Sequence, residues 1–153
     1  MVSIVEMAKP AGVLLALGIT LLPPALADGV HLESLGPGVK VETLARSDRS
    51  WNGSLLPPLS AARPEVNVVR MTVPAGVTLN LHQHPVIHAG VLVQGRLRLE
   101  AEQGATQLLE PGQAVIEVVN RAHRSVSLGP DPAVLLIVFV GPKGTAITLP
   151  ATP

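Results

Sequence analysis

The chain contains no cysteine and no tyrosine, and only one tryptophan and one phenylalanine in 153 residues. Without cysteine there is no disulfide, no thiolate metal site, no cysteine nucleophile and no lipoprotein anchor, and the redox compartment is left open. With so few aromatics, the core has to be built from Val, Leu, Ile and Ala, which the 47% hydrophobic content supplies. An excess of either charge is also missing: Lys plus Arg and Asp plus Glu are 11 each. A nucleic-acid partner needs a basic face to neutralise phosphates, and no cluster of Lys and Arg offers one locally, so no nucleic-acid partner is expected. The length suits one domain with a substantial core and is short for two.

The amino-terminus carries its own signal. Lys9 precedes an apolar run from Ala11 to Leu22, Pro23-Pro24 interrupts any helix there, and Ala25-Leu26-Ala27 has the small-x-small form of a cleavage site. This predicts a signal peptide over residues 1–27, cleaved after Ala27, and hence a periplasmic or secreted protein with no stable membrane anchor. The apolar run is too short to span a bilayer comfortably.

Helix-length amphipathic patterns are missing after residue 27. Short apolar or alternating runs appear instead, punctuated by Gly, Pro and Asn. Residues 28–64 are expected to be an arm, loop-like from residue 46 with Asn52-Gly53, Pro57-Pro58 and Pro64, and residues 65–150 a barrel. Strands are expected at 39–43, 66–73, 91–94, 96–101, 106–110, 114–119, 125–128, 133–140 and, at an edge, 145–149. The unbroken apolar run 133–140 predicts a strand buried on both faces. About eight short strands in this length suggest an all-β double-sheet jelly roll.

Histidine is where the chemistry concentrates. Three of the five histidines, His82, His84 and His88, lie within seven residues; His123 follows later and His31 lies apart. On a strand, positions i and i+2 share a face, so His82 and His84 can grip one ion. His88 follows Pro85, which can bend or end that strand, and can also point at the ion. Neutral imidazole suits Zn, Cu, Fe and Ni, and three or four such ligands without thiolate leave room for water or substrate. The alternative is a chance cluster of surface histidines, which the density of three in seven residues disfavours.

Glu117 lies in the apolar stretch Ala114–Val119, where a carboxylate is costly unless paired or serving an ion. It is the candidate catalytic residue: a partner that orients a ligand or restores negative charge, or a general base. The alternatives are a solvent-facing Glu or a pair with Arg121 or Arg124. Trp51 is expected to pack as a plug over the barrel or across a dimer contact. Arg70, Arg96, Arg98 and Arg124 are expected on solvated faces or at the rim.

The spacing Gly76-x(5)-His82-x-His84-x(3)-His88-x(6)-Gly95 resembles the first cupin motif, G-x(5)-H-x-H-x(3,4)-E-x(6)-G, with His88 where cupins usually carry Glu. Gly112 to His123 is similar in length to the second motif, G-x(5)-P-x-G-x(2)-H-x(3)-N, with Val118 for Pro, Asn120 for the turn Gly and Ser127 for the last Asn. Asn tolerates a left-handed turn position, so the change at 120 is mild. Glu117–His123 and Leu136–Phe139 also resemble the E-V-V-N-x-x-H and L-I-V-F segments of a group of small bacterial cupins.

That resemblance implies a double-stranded β-helix, the jelly-roll cupin barrel. It further implies one divalent metal ion (Fe, Mn, Cu, Ni or Zn) held by His82, His84 and His123, with His88 as a fourth ligand or turned away, a small-molecule ligand or substrate, and a homodimer. A four-imidazole site leaves the ion's charge uncompensated and favours anionic ligands and acidified water. The activity expected first is a metal-dependent oxidoreductase of dioxygenase type. A non-catalytic binding protein and a metal-assisted isomerase or lyase with Glu117 as base are the alternatives.

Overall fold

A computed structural model describes residues 41–151. The expected signal peptide and the arm up to residue 40 lie outside the described residues. All regular elements among the described residues are strands: β1 (Pro64–Val73), β2 (His82–Gln83), β3 (Ile87–Gln94), β4 (Arg96–Ala101), β5 (Thr106–Leu109), β6 (Ala114–Ile116), β7 (His123–Leu128), β8 (Ala133–Pro142) and β9 (Leu149–Pro150). They are rich in β-branched and aliphatic residues and separated by turns at Pro74–Gly76, Gln103-Gly104 and Pro111-Gly112, which is the local chemistry that favours strands over helices.

Two antiparallel sheets result, ordered β1-β8-β3-β6 and β5-β4-β7-β2-β9. This is the all-β jelly roll that the strand pattern predicts. β1 and β8 pair along their full length, from Pro64 opposite Pro142 to Val73 opposite Ala133. β7 lies between β4 and β2. The inward faces meet in an aliphatic core in which Val73, Leu92, Leu97, Leu99, Leu109 and Ala133 are essentially inaccessible. Burial of such side chains contributes about 1.5–3 kcal/mol each relative to exposure.

Four expectations about strands need correction. β8 is not buried on both faces. Leu135, Ile137 and Phe139 point inward, whereas Leu136 and Val138 are 41% and 40% exposed, beside Val66 and Val68 of β1 at 59% and 71%. An apolar run does not distinguish a buried outer face from an apolar exposed one. Residues 41–43, the described part of the strand expected at 39–43, form no strand. β6 stops at Ile116, before Glu117, rather than running to residue 119. At the carboxy-terminus only Leu149–Pro150 pairs, against β2.

β3 begins at Ile87, four residues earlier than expected, and so takes in His88. The chain has crossed from β2 in one sheet to β3 in the other within His84-Pro85-Val86. Val86 is buried at this crossover, packed so closely on the bare backbone of Gly141 that a Cβ there would overlap its side chain.

Gly95, in the tight turn between β3 and β4, has φ +76°, and a Cβ there would run into the Pro132 carbonyl oxygen. Gly104 has a similar φ of +81° but open space around it. Gly95→Ala is therefore expected to destabilise the protein by more than Gly104→Ala, which carries only the backbone strain of about 1 kcal/mol. Thermal melting of the two variants checks the order.

Candidate metal centre

The register of the sheets assembles the histidines. β2 pairs with β7 so that His82 stands opposite His123. His84 comes two residues after His82 and lies on the same side. After the crossover, His88 enters from β3 in the facing sheet, opposite Phe139 of β8. The ring centroids are 4.6 Å apart for His82 and His123, 4.9 Å for His82 and His84, 5.1 Å for His84 and His123, and 4.1 Å for His84 and His88. Ligand atoms of His82, His84 and His123 lie within 4.8 Å of one another, and so do those of His88, Glu117 and His123. Either trio could hold a metal ion, and His123 belongs to both.

Every one of the four rings is oriented by a main-chain carbonyl. The Nδ1–H of His82 donates to Asn80 O (2.7 Å), that of His84 to Ile147 O (2.6 Å) and that of His123 to Arg121 O (2.9 Å). His88 makes the same contact with Val86 O at 3.4 Å. A carbonyl only accepts, so these contacts place the proton on Nδ1 and leave the Nε2 lone pairs without a donor. This arrangement fits a metal ligand whose tautomer is fixed from behind. Thr148 Oγ1 adds a contact to His84 Nδ1 at 3.1 Å, and Phe139 stacks on His88 at 4.8 Å with 12° between planes.

Burial completes the preparation. His84, His88 and His123 are buried and His82 half-buried. Loss of hydration lowers the pKa of all four, to about 4 for His84 and about 3 for His88, with neighbouring histidines adding to the effect at His82, His84 and His88. Each shift favours the neutral ring, the form that binds metals.

Glu117 is neither solvent-facing nor paired with an arginine. It is 9% exposed, its backbone N–H donates to His88 O (3.1 Å), and its Oε2 accepts from Trp51 Nε1 at 2.9 Å. Burial raises its pKa, against the opposing pull of the Trp51 hydrogen bond. Arg124 and Arg98 instead bind Glu100, and Arg96 binds Glu110, at 2.8–2.9 Å on the outer surface. Sequence reasoning missed the Trp51–Glu117 contact, the Phe139 stack and the contribution of Ile147 and Thr148. The one signal available was that Trp51 and Phe139 are the only large aromatics in the chain.

The histidines and Glu117 face a cavity of about 470 Å³ whose other walls include Val69, Met71, Leu79, Ile137 and Ile147, with Arg70, Asn80, Ser125 and Thr148 as further polar members of the lining. Such a space suits a small, mostly apolar ligand.

Residues 69–139 match the family model of the cupin domain, Cupin_2. The barrel is a cupin fold. A structure described with the DMSP lyases RdDddP and RnDddQII is 22% identical, with a TM-score of 0.51, over 57% of this chain and 44% of that one. The DMSP lyase DddQ from Ruegeria pomeroyi DSS-3 is 24% identical, with a TM-score of 0.47, over 59% of this chain and 44% of that one. An oxalate decarboxylase formate complex from Lactobacillus farciminis is 20% identical, with a TM-score of 0.49, over 56% and 26%. The chain thus spans less than half the length of each of these structures, and the first likeness is one of fold alone. No curated protein matches the sequence.

A pH dependence follows from the imidazole shifts. Each native ring sits below its ordinary value of 6.5, so between that value and the native one the unfolded chain binds more protons. The stability contributed by His84 and His88 is complete above about pH 6.5 and is lost as pH falls toward about 4 and about 3. Glu117, shifted upward, works in the opposite sense and blunts the loss. The metal-free protein is therefore expected to melt at lower temperature at pH 5 than at pH 7. The difference should shrink in His88→Gln, as read by calorimetry in the presence of a chelator.

Proposed function

We propose that this protein is an exported, mononuclear metal-binding cupin, and that it is a metal-dependent oxidoreductase of dioxygenase type acting on a small organic substrate. The observation that carries the reading is the set of four imidazoles, each oriented through Nδ1, that line one cavity. His82, His84, His88 and His123 would hold the ion, and nitrogen donors of this kind suit Fe, Mn, Cu, Ni or Zn. A divalent ion bound there supplies Lewis-acid and, for a redox metal, one-electron chemistry. The chain's own contribution is to orient the ligands, to exclude water with aliphatic walls, and to present Glu117 beside His88 and His123. A homodimer belongs to the same reading, closing over the exposed apolar face around Val66, Val68, Leu136 and Val138.

A second reading has an observation of its own. Glu117 is buried beside the histidines, and burial raises its pKa, which makes it a stronger base than an exposed carboxylate. That favours a metal-assisted isomerase or lyase that removes a proton from a carbon next to a carbonyl.

Native mass spectrometry of untagged protein from a periplasmic fraction tests the first reading as a whole. The expected species begins at residue 28, carries one metal ion per subunit and is a dimer that Val68→Glu converts to monomer. Iron, manganese or copper together with substrate-dependent oxygen uptake supports the oxidoreductase. Zinc or nickel without oxygen uptake supports the second reading, and a protein that takes up no metal after reconstitution overturns both.

The ligand assignment has its own check. His82→Ala and His123→Ala are each expected to weaken metal affinity by at least the roughly 10–100-fold that follows loss of an outer partner. Equilibrium competition against a chelator measures it, and full occupancy in the double variant would refute the assignment.

A further inference from the structure

We propose that Glu117 is itself a ligand of the centre, supplying from the end of β6 the carboxylate that the chain lacks at position 88, and that Trp51 is the residue that positions it. The inference rests on the metal-centre reading above and deepens its first form, since a ligating carboxylate is not free to act as a base.

Geometry comes first. The Glu117 carboxylate lies with the ring nitrogens of His88 and His123 in one trio whose ligand atoms are within 4.8 Å of one another, all three residues buried. The link to His88 is direct, because the Glu117 amide donates to the His88 carbonyl (3.1 Å) across the β3–β6 ladder. The residue just past the end of β6 thus brings its carboxylate within reach of the His88 and His123 ring nitrogens.

Charge points the same way. Four imidazoles bring no negative charge to a divalent ion. Glu117 is a carboxylate whose burial opposes its charge; among the described residues the groups that favour the charged form are Trp51, the Val118 amide and His82. An ionised carboxylate has about four acceptor sites, and two donors leave capacity facing the histidines. A buried anion without a cation is expensive. A divalent ion in the histidine cluster is the cation that would offset that cost.

Trp51 is fixed at two points. Its backbone N–H donates to the carbonyl of Ile116, the residue before Glu117 (2.9 Å), and its indole N–H donates to Glu117 Oε2 (2.9 Å). The turn that carries it is closed on itself: Arg49 bridges Leu55, Ser50 N–H donates to Ser54 O (2.8 Å), and Asn52 Oδ1 accepts from Ser54 N–H (3.1 Å). The indole also packs against the core. The arm segment around Trp51 therefore adjoins the centre, and its indole N–H restrains the Glu117 carboxylate beside the ring nitrogens.

Cobalt(II), loaded into the full mature protein, is the probe, read by its visible absorption bands and by chelator competition. Glu117→Gln keeps shape and removes the charge. Trp51→Phe keeps the aromatic packing and removes the N–H. The expected results are a tenfold or greater loss of cobalt affinity with shifted bands in Glu117→Gln, and a smaller loss with bands shifted the same way in Trp51→Phe. Trp51→Phe should have no further effect in the Glu117→Gln background, because Trp51 acts through that carboxylate. A merely structural tryptophan would lower the melting temperature and leave the bands alone. If the wild type takes up no cobalt, the metal-centre reading falls and this inference with it. If the wild type binds cobalt and both variants retain its bands and affinity, only the inference falls.

Discussion

The crossing of the chain between sheets at Pro85-Val86 is the constraint on which the centre depends. Three residues, His84-Pro85-Val86, separate the strand that carries His82 from the strand that carries His88. Without that crossing, alternation along a continued strand would keep His82, His84 and His88 on one face of one sheet, side by side rather than around a point. With it, His82 and His84 approach from the β2 side, His88 from β3, and His123 from β7, which is hydrogen-bonded to β2. The tight seat of Val86 on Gly141 fixes where the crossing occurs. The carbonyl of Val86 faces the Nδ1 of His88, so the crossover residue also helps to set the ring it delivers.

The electrostatics of the site follow from the same enclosure. Burial disfavours charge on every titratable group in the cluster, and it acts on the imidazoles and on Glu117 in ways that differ in consequence. For the imidazoles, the neutral form is also the ligating form, so desolvation and metal binding agree. For Glu117, desolvation opposes the ionised form, while the Trp51 N–H and the Val118 amide favour it. Hydrogen bonds to a carboxylate inside a low-dielectric space are stronger than in water, and the ladder contact to His88 keeps the backbone from relaxing away. The protein thus holds a carboxylate where its surroundings resist its charge, a conflict typical of functional sites rather than of structural cores.

Much of this was legible in the residues. The i, i+2 histidines, the distance to His123 and the turn-punctuated short strands carried both the all-β barrel and the cluster, because those features depend on local alternation and on turn chemistry. Asn120 takes φ +54°, as an Asn in place of a turn glycine should. What was not legible depended on contacts distant in sequence. The outward face of β8 is as apolar as its inward one, so composition suggested burial where the sheet leaves Leu136 and Val138 exposed. Glu117 offered several environments to a reader of the sequence, and only the fold removes the solvent-facing and arginine-paired ones. Nothing local to Trp51 indicated a partner 66 positions away.

The scarcity of aromatics acquires meaning at this point. The chain has one tryptophan and one phenylalanine, and both touch the cluster: Trp51 binds Glu117, and Phe139 stacks on His88 and approaches His84 at 5.4 Å. Elsewhere the core is filled by aliphatic side chains, which pack well but orient nothing. An aromatic ring has two side-chain torsions and a large flat face, so it fixes a neighbouring plane at low entropic cost. His88 has the longest main-chain contact of the four imidazoles, at 3.4 Å, and it is the one backed by a parallel ring. Where the backbone holds a ligand loosely, the phenylalanine restrains it; where the position has no carboxylate of its own, the tryptophan holds one in from the next strand. The two aromatics therefore stand at the two places where this sequence departs from a plain three-histidine pattern.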